Sequence, residues 1–151
     1  MLNYSEPQLT QKYSLIELDN TNIRIVGEYT TANGPYFDDW FLVVVYKNCN
    51  WADISFDMPD IDHFINYLNR RLRTNLIEPK LANCADFRSI ITYPASLAGK
   101  ELMRLVPDKG YNPPKNWYQK LLYSLGLGSF KCDMSIQLTE EVIKWLDCTS
   151  L

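Results

Sequence analysis

Apolar and polar positions divide the first third of the chain into short segments typical of β-strands. Residues 13–19 and 23–30 are separated by the turn-forming sequence Asn-Thr-Asn at 20–22, which indicates a hairpin. Residues 37–47 contain Trp-Phe-Leu-Val-Val-Val-Tyr, which is apolar on both faces and therefore typical of a central strand. Residues 51–56 follow a polar turn and predict the next strand. Because the connections are short, the four strands are expected to form an antiparallel meander.

A helical pattern follows at residues 59–73. Its apolar residues recur at the three- and four-residue spacing of one helix face. They are Ile61, Phe64, Ile65, Leu68 and Leu72. Acidic residues at the start and arginines at the end complement the helix dipole. This stripe is predicted to pack on the sheet.

The second half of the chain gives a weaker pattern. Residues 88–93 are compatible with a fifth strand, whereas residues 95–106 fit either a short helix or a strand. Helices are predicted at 117–125 and at 140–147. The fold class is therefore α+β, with an antiparallel sheet of four to five strands and about three helices packed against it. We expect one domain over residues 1–151, with residues 1–10 frayed.

Length and composition fit an ordinary globular domain. The chain has 151 residues, of which 46% are hydrophobic and 22% charged. The longest apolar run, residues 40–46, is too short for a membrane span, and the N-terminus lacks the basic and apolar regions of a signal peptide. We therefore expect a cytoplasmic protein that does not contact a membrane.

Candidate metal and catalytic groups are sparse. The four cysteines, Cys49, Cys84, Cys132 and Cys148, form no closely spaced pair, and His63 is the single histidine. Zinc sites need paired ligands that a short loop holds together, so reduced thiols are expected. Neither a nucleophile motif nor a phosphate-binding loop is present. The sequence thus predicts a protein that is not an enzyme and that needs no metal or cofactor.

Charge is unevenly distributed along the chain. Residues 1–62 carry ten acids and three bases, a net charge of −7, whereas residues 63–131 carry eleven bases and four acids, a net charge of +7. Such asymmetry suggests charged partners. The alternative is that the two halves fold against each other and neutralise one another.

Acidic and aromatic residues are concentrated around the predicted strands. Carboxylates combined with Trp and Tyr suit the recognition of a basic protein surface. We name the following set the acidic aromatic patch and predict that it binds a protein partner: Glu28, Tyr29, Tyr36, Asp38, Asp39, Trp40, Trp51, Asp53 and Asp57. The alternative places both tryptophans in the core and leaves the acids as solubilising groups.

A second candidate site lies at residues 109–120, where basic and aromatic residues interleave. Cationic and stacking side chains together can bind single-stranded nucleic acid. The residues of this basic aromatic segment are Lys109, Tyr111, Lys115, Trp117, Tyr118 and Lys120. The alternative is packing, because Trp117, Leu121 and Leu125 follow the spacing of a buried helix face.

Two segments give the chain a family resemblance. They are the strand Asp-Asp-Trp-Phe-Leu-Val-Val-Val at 38–45 and the ending Leu-Thr-Glu-Glu-Val-Ile-Lys-Trp-Leu at 138–146. Together with its size and lack of catalytic groups, the chain resembles small bacterial immunity proteins, the antidotes to secreted or contact-delivered toxins. The resemblance implies neutralisation of a cognate toxin by masking its active site. Immunity proteins span many folds, so it implies no particular binding residues. The alternative function is a regulatory or accessory interaction domain that contacts nucleic acid through residues 109–120.

Overall fold

The computed structural model describes residues 22–31, 38–107, 116–125 and 134–148. These fall into two compact units. The described residues up to Met103, together with those from Leu138 onward, form the first unit, and the described residues between Arg104 and Gln137 form the second. The presence of a single domain over the whole chain stays a prediction.

A four-stranded antiparallel sheet organises the first unit. Its strands are β1 (Ile23–Thr30), β2 (Trp40–Tyr46), β3 (Trp51–Ser55) and β4 (Arg88–Tyr93), in the spatial order β3-β2-β1-β4. The α+β class is confirmed, and β1, β2 and β3 form the consecutive antiparallel part of the predicted meander. The second neighbour of β1 is β4, paired from Val26 to Thr30. The strand predicted at residues 13–19 lies outside the described residues.

One face of this sheet packs against helix α1 (Ile61–Arg71), and we call it the helix face. Phe64, Ile65 and Leu68 of the predicted stripe are buried, and Ile61 and Leu72 pack against the same cluster. Strand residues directly opposite each other share a face, and the pairs Val26–Val44 and Leu42–Ile54 place these side chains in this cluster. The predicted helix stripe is therefore confirmed as part of the core.

The opposite face of the sheet is also buried. Val43 and Val45 on this face are fully buried. Gly27 lies on this face, where a Cβ atom would stand 2.7 Å from Leu102 Cδ2, so Leu102 packs directly over it. The Thr139 N–H donates to the Leu102 carbonyl over 3.1 Å, which ties the start of helix α3 (Glu140–Cys148) to this covering segment.

An irregular segment after α1 is held in place by side-chain hydrogen bonds to its backbone. The Asn69 amide donates to the Ile77 carbonyl over 2.8 Å and accepts from the Ile77 N–H over 3.1 Å. Paired bonds of this kind imitate a rung of a β-ladder. As a result, Ile77 is fixed in the core although its segment has no regular structure.

The second unit contains helix α2 (Trp117–Ser124) and most of a two-stranded sheet, β5 (Met103–Pro107) with β6 (Met134–Leu138). The ambiguity at residues 95–106 is resolved, since turns run to residue 99 and β5 begins at Met103. The Ser135 hydroxyl donates to the Val106 carbonyl over 3.3 Å.

Candidate functional site

The Glu28 carboxylate lies at the centre of the predicted patch but is almost completely buried, with 1% of the residue exposed. Glu28 pairs with Leu42, so its side chain is on the helix face. Three N–H groups donate to its oxygens: Lys80 N to Oε1 over 2.6 Å, Leu81 N to Oε2 over 3.2 Å, and Trp40 Nε1 to Oε2 over 2.6 Å. These bonds compensate a buried carboxylate that would otherwise be costly.

Trp40 is held between Glu28 and a second aromatic ring. Its indole stacks on Phe56 with ring centroids 3.9 Å apart and planes inclined by 17°. The Phe56 N–H also donates to the Trp40 carbonyl over 3.0 Å. The start of β2 and the end of β3 are therefore joined through both backbone and rings.

Tyr29 and Asp53 form a second connection on the opposite face of the sheet. The buried Tyr29 hydroxyl donates to Asp53 Oδ2 over 2.6 Å, and its ring stacks on Phe41 at a centroid distance of 5.0 Å. Burial raises the pKa of the Tyr29 phenol, and the hydrogen bond and charge of Asp53 raise it further. Tyr29 thus stays protonated and orients an exposed carboxylate.

Four carboxylates lie at or near one corner of the sheet. Asp38 and Asp39 precede β2, Asp57 follows β3, and the Trp40–Phe56 connection brings these two strand ends together. Asp53 lies at the middle of β3. We call Asp38, Asp39, Asp53 and Asp57 the acidic corner. Across the described ranges, the ion pairs are Lys80 with Glu78 and Lys100 with Glu141, so no base in those ranges forms an ion pair with this corner.

The acidic aromatic patch is not one continuous surface. Glu28 and Tyr29 are buried, and they lie on opposite faces of the sheet, so neither side chain offers contact area to a partner. Trp51 is half-buried at the other end of β3, and Tyr36 lies outside the described residues. The exposed residues of the prediction are Asp38, Asp53 and Asp57 of the acidic corner, and Asp39 beside them is half-buried. β2, the neighbouring strand, is apolar on both faces. This pattern was the available sign in the sequence that Glu28 is buried.

The described residues contain no group of three or more His, Cys, Asp and Glu side chains arranged to hold a metal ion. Cys49 and Cys84 are both free thiols. His63 is exposed on the first turn of α1.

The basic aromatic segment is seen only in part, since Lys109, Tyr111 and Lys115 lie outside the described residues. Trp117 and Tyr118 are 76% and 57% exposed, and Lys120 is exposed beside them. Leu121 and Leu125 are 47% and 61% exposed. The buried helix face predicted for Trp117, Leu121 and Leu125 is therefore wrong, because the periodicity of α2 marks a face that is open to solvent.

Among the helices that the structure describes, none is both long and apolar enough to cross a membrane. No protein family model, curated protein or solved structure matches the chain. The function is therefore argued from the acidic corner and from α2.

Proposed function

We propose that this chain is a non-catalytic protein-binding domain whose acidic corner contacts a basic surface of a protein partner. The observation that carries the proposal is the placement of four carboxylates at or near one sheet corner, where no base among the described residues forms an ion pair with them. Concentrated charge of one sign attracts a complementary partner and raises the rate of association.

Rigid support strengthens the proposal. The Trp40–Phe56 stack fixes the strand ends that carry Asp38, Asp39 and Asp57, and Tyr29 orients Asp53. Side chains already held in place lose little conformational entropy when a partner binds. The corner is thus suited to tight binding as well as to electrostatic attraction.

The concrete form of the proposal is an immunity protein that acts in the bacterial cytoplasm and neutralises a cognate toxin by covering its active site. A nuclease toxin has a basic substrate groove, to which an acidic corner is complementary. Masking needs no catalytic group in the antidote, only a stoichiometric complex.

The test begins with a tagged pull-down from the native host at moderate salt, followed by mass spectrometry of the bound protein. The partner is then expressed alone and together with the chain. We expect the partner alone to arrest growth, and the wild-type chain to restore it. The variant Asp38→Lys/Asp57→Lys should fail to restore growth, because its charges repel a basic surface.

The matched control is Glu101→Lys/Asp147→Lys, which changes the net charge equally at exposed positions of the same unit outside the corner. This control should bind and protect like the wild type, and all three proteins should have similar melting temperatures. A partner that is not toxic would overturn the immunity function. Equal protection by both doubles would remove the acidic corner as its site.

A second candidate function, a regulatory or accessory domain that binds single-stranded nucleic acid, is favoured by α2. Trp117 and Tyr118 expose most of their surface next to Lys120. Residues 104–137 carry five bases and two acids, a net charge of +3, in contrast to the acidic remainder of the chain. Exposed rings and positive charge suit the stacking of bases and the neutralisation of phosphates.

This second function is tested by the fluorescence polarisation of a labelled oligothymidine across a salt series. We expect binding at low salt that weakens steeply as salt rises, because bound counterions are released. Trp117→Ala should reduce affinity by about 1–3 kcal/mol, the contribution of one stacked base. Ile143→Ala, at an exposed apolar position on α3, is the control. Equal binding by both variants would count against α2.

A further inference from the structure

The two outer strands of the four-stranded sheet, β4 and β3, differ in what lies beside them. Outside β4, the Ile91 N–H donates to the Lys100 carbonyl over 2.9 Å, and the Gly99 N–H donates to the Ile91 carbonyl over 2.9 Å. The Met103 N–H donates to the Ser89 hydroxyl over 2.9 Å. The segment 99–103 therefore covers this edge and pairs both backbone polar groups of Ile91.

At the other edge, the part of the chain that the structure describes has no strand beyond β3. The Tyr46 N–H donates to Asn50, and the Phe56 N–H donates to Trp40. Along an antiparallel strand, every second residue directs its backbone N–H and C=O groups toward the neighbouring strand. The backbone groups of Ala52 and Ile54 therefore also point toward β2. The N–H and C=O groups of Trp51 and Asp53 consequently point outward, giving two donors and two acceptors.

We propose that an extended segment of a protein partner adds to this edge as a further antiparallel strand, with a Lys or Arg opposite Asp53. The proposal rests on the proposed function and deepens it, because it states how the basic partner binds. Main-chain hydrogen bonds supply the docking, and the side chain opposite Asp53 supplies the selection. The neighbouring partner residues fall on the helix face beside Ala52, where small or β-branched apolar side chains fit.

Charge complementarity identifies the occupant. Asp53 is exposed at the middle of β3, and Tyr29 orients its carboxylate through the 2.6 Å hydrogen bond. Opposite charges on directly paired strand residues attract each other. Asp57 and Asp38 add negative charge toward the end of the same strand. A basic segment is thus favoured over a neutral or acidic one.

The same geometry disfavours a second copy of this chain. Two β3 strands that pair antiparallel with the largest overlap are related by a two-fold axis at the central residue. That residue is Asp53. Two carboxylates would then lie directly opposite each other, which is destabilising. The charge of Asp53 therefore opposes pairing with a second copy. It leaves the edge available to a strand of opposite charge.

The experiment is an NMR titration of the full chain, labelled with ¹⁵N, using the capped peptide TTVKVTT and its analogue TTVEVTT as probes. With the lysine peptide at saturating concentration, we expect chemical-shift changes at Trp51 and Asp53. Hydrogen exchange at these two amides should slow by about tenfold or more, because each gains an acceptor. The glutamate peptide should leave both amides unchanged.

Two variants separate charge from folding. Asp53→Asn keeps an acceptor for the Tyr29 hydroxyl and should weaken binding of the lysine peptide. Asp53→Lys should reverse the preference and bind the glutamate peptide. Equal binding of both peptides to the wild type, changes located away from β3, or no change at millimolar peptide would each overturn the proposal. Slowed exchange at β3 in the free protein at high concentration would also overturn it, in favour of self-pairing.

The outcome is independent of toxin neutralisation. If the lysine peptide protects Trp51 and Asp53 but no toxic partner is neutralised, the β3 edge is established and the immunity function fails. If a toxin is neutralised while these two amides exchange freely in the complex, the immunity function stands and strand addition is wrong.

Discussion

The indole Nε1 of Trp40 donates to Oε2 of the buried Glu28 carboxylate over a distance of 2.6 Å. Glu28 also accepts from the backbone of Lys80 and Leu81, which are more than fifty residues away in sequence. One carboxylate therefore fixes the start of β2 and the irregular segment after α1. Trp40 is immobilised two residues from Asp38, so this buried bond also supports the acidic corner.

Glu28→Gln should destabilise the fold. The amide has one acceptor oxygen in place of two, so its NH₂ group faces a buried N–H. An unsatisfied group of this kind costs about 1–3 kcal/mol, which urea denaturation measures. Glu101→Gln, at an exposed position, is the control and should leave the midpoint unchanged. A midpoint for Glu28→Gln equal to that of the wild type would mean that the three donors find other acceptors.

Local patterns predicted the elements of the first unit because the signals lie within each element. The Leu68 stripe repeats with the helical period, and the apolar run from Trp40 to Tyr46 identifies a central strand. The non-local parts could not be read in this way. The pairing of β1 with β4 and the bonds from Glu28 to residues 80 and 81 depend on how distant segments meet in space.

The prediction of the site failed where the same sequence pattern occurs in both buried and exposed positions. Trp117, Leu121 and Leu125 have the spacing of a buried stripe, as Phe64 and Leu68 do, yet they are exposed. Periodicity shows that residues share a helix face, but it does not show what covers that face. Likewise, an acidic residue in an apolar strand, such as Glu28, is buried only because N–H donors from elsewhere reach it.

Leu68→Ala should remove a central part of the core between α1 and the sheet. Leu68 is fully buried in the cluster with Val44 and Ile54. Truncation should cost about 2–5 kcal/mol, from lost burial and from the cavity left behind. The control, Leu121→Ala, changes a leucine that is 47% exposed on α2. Thermal and urea unfolding should separate the two variants clearly, and equal stabilities would show that Leu68 is not a core residue.

Gly27→Ala should destabilise the sheet through a steric clash. A Cβ at this position would lie 2.4 Å from the Ile90 carbonyl oxygen and 2.7 Å from Leu102 Cδ2. Overpacking of this kind costs about 1–3 kcal/mol or more, measured as a lower unfolding midpoint. Adding Leu102→Ala removes the side-chain contact but not the backbone contact. The double variant should therefore not recover wild-type stability, and full recovery would contradict the importance of the Ile90 backbone.

Tyr29→Phe should change how stability depends on alkaline pH. Burial, aided by Asp53, raises the pKa of the Tyr29 phenol, so the folded protein retains a proton that the unfolded chain loses above its ordinary pKa of about 10. The stabilisation is fully present below that pH and decreases as pH rises toward the higher folded pKa. Its slope is at most about 1.4 kcal/mol per pH unit, the equivalent of one proton. Urea unfolding between pH 8 and pH 11 (about one to two units either side of the ordinary value) should give a steeper decline for the wild type than for Tyr29→Phe. Parallel curves for the two proteins would show that Tyr29 ionises equally in the folded and unfolded states. In that case the hydrogen bond from a protonated Tyr29 would not be what orients Asp53.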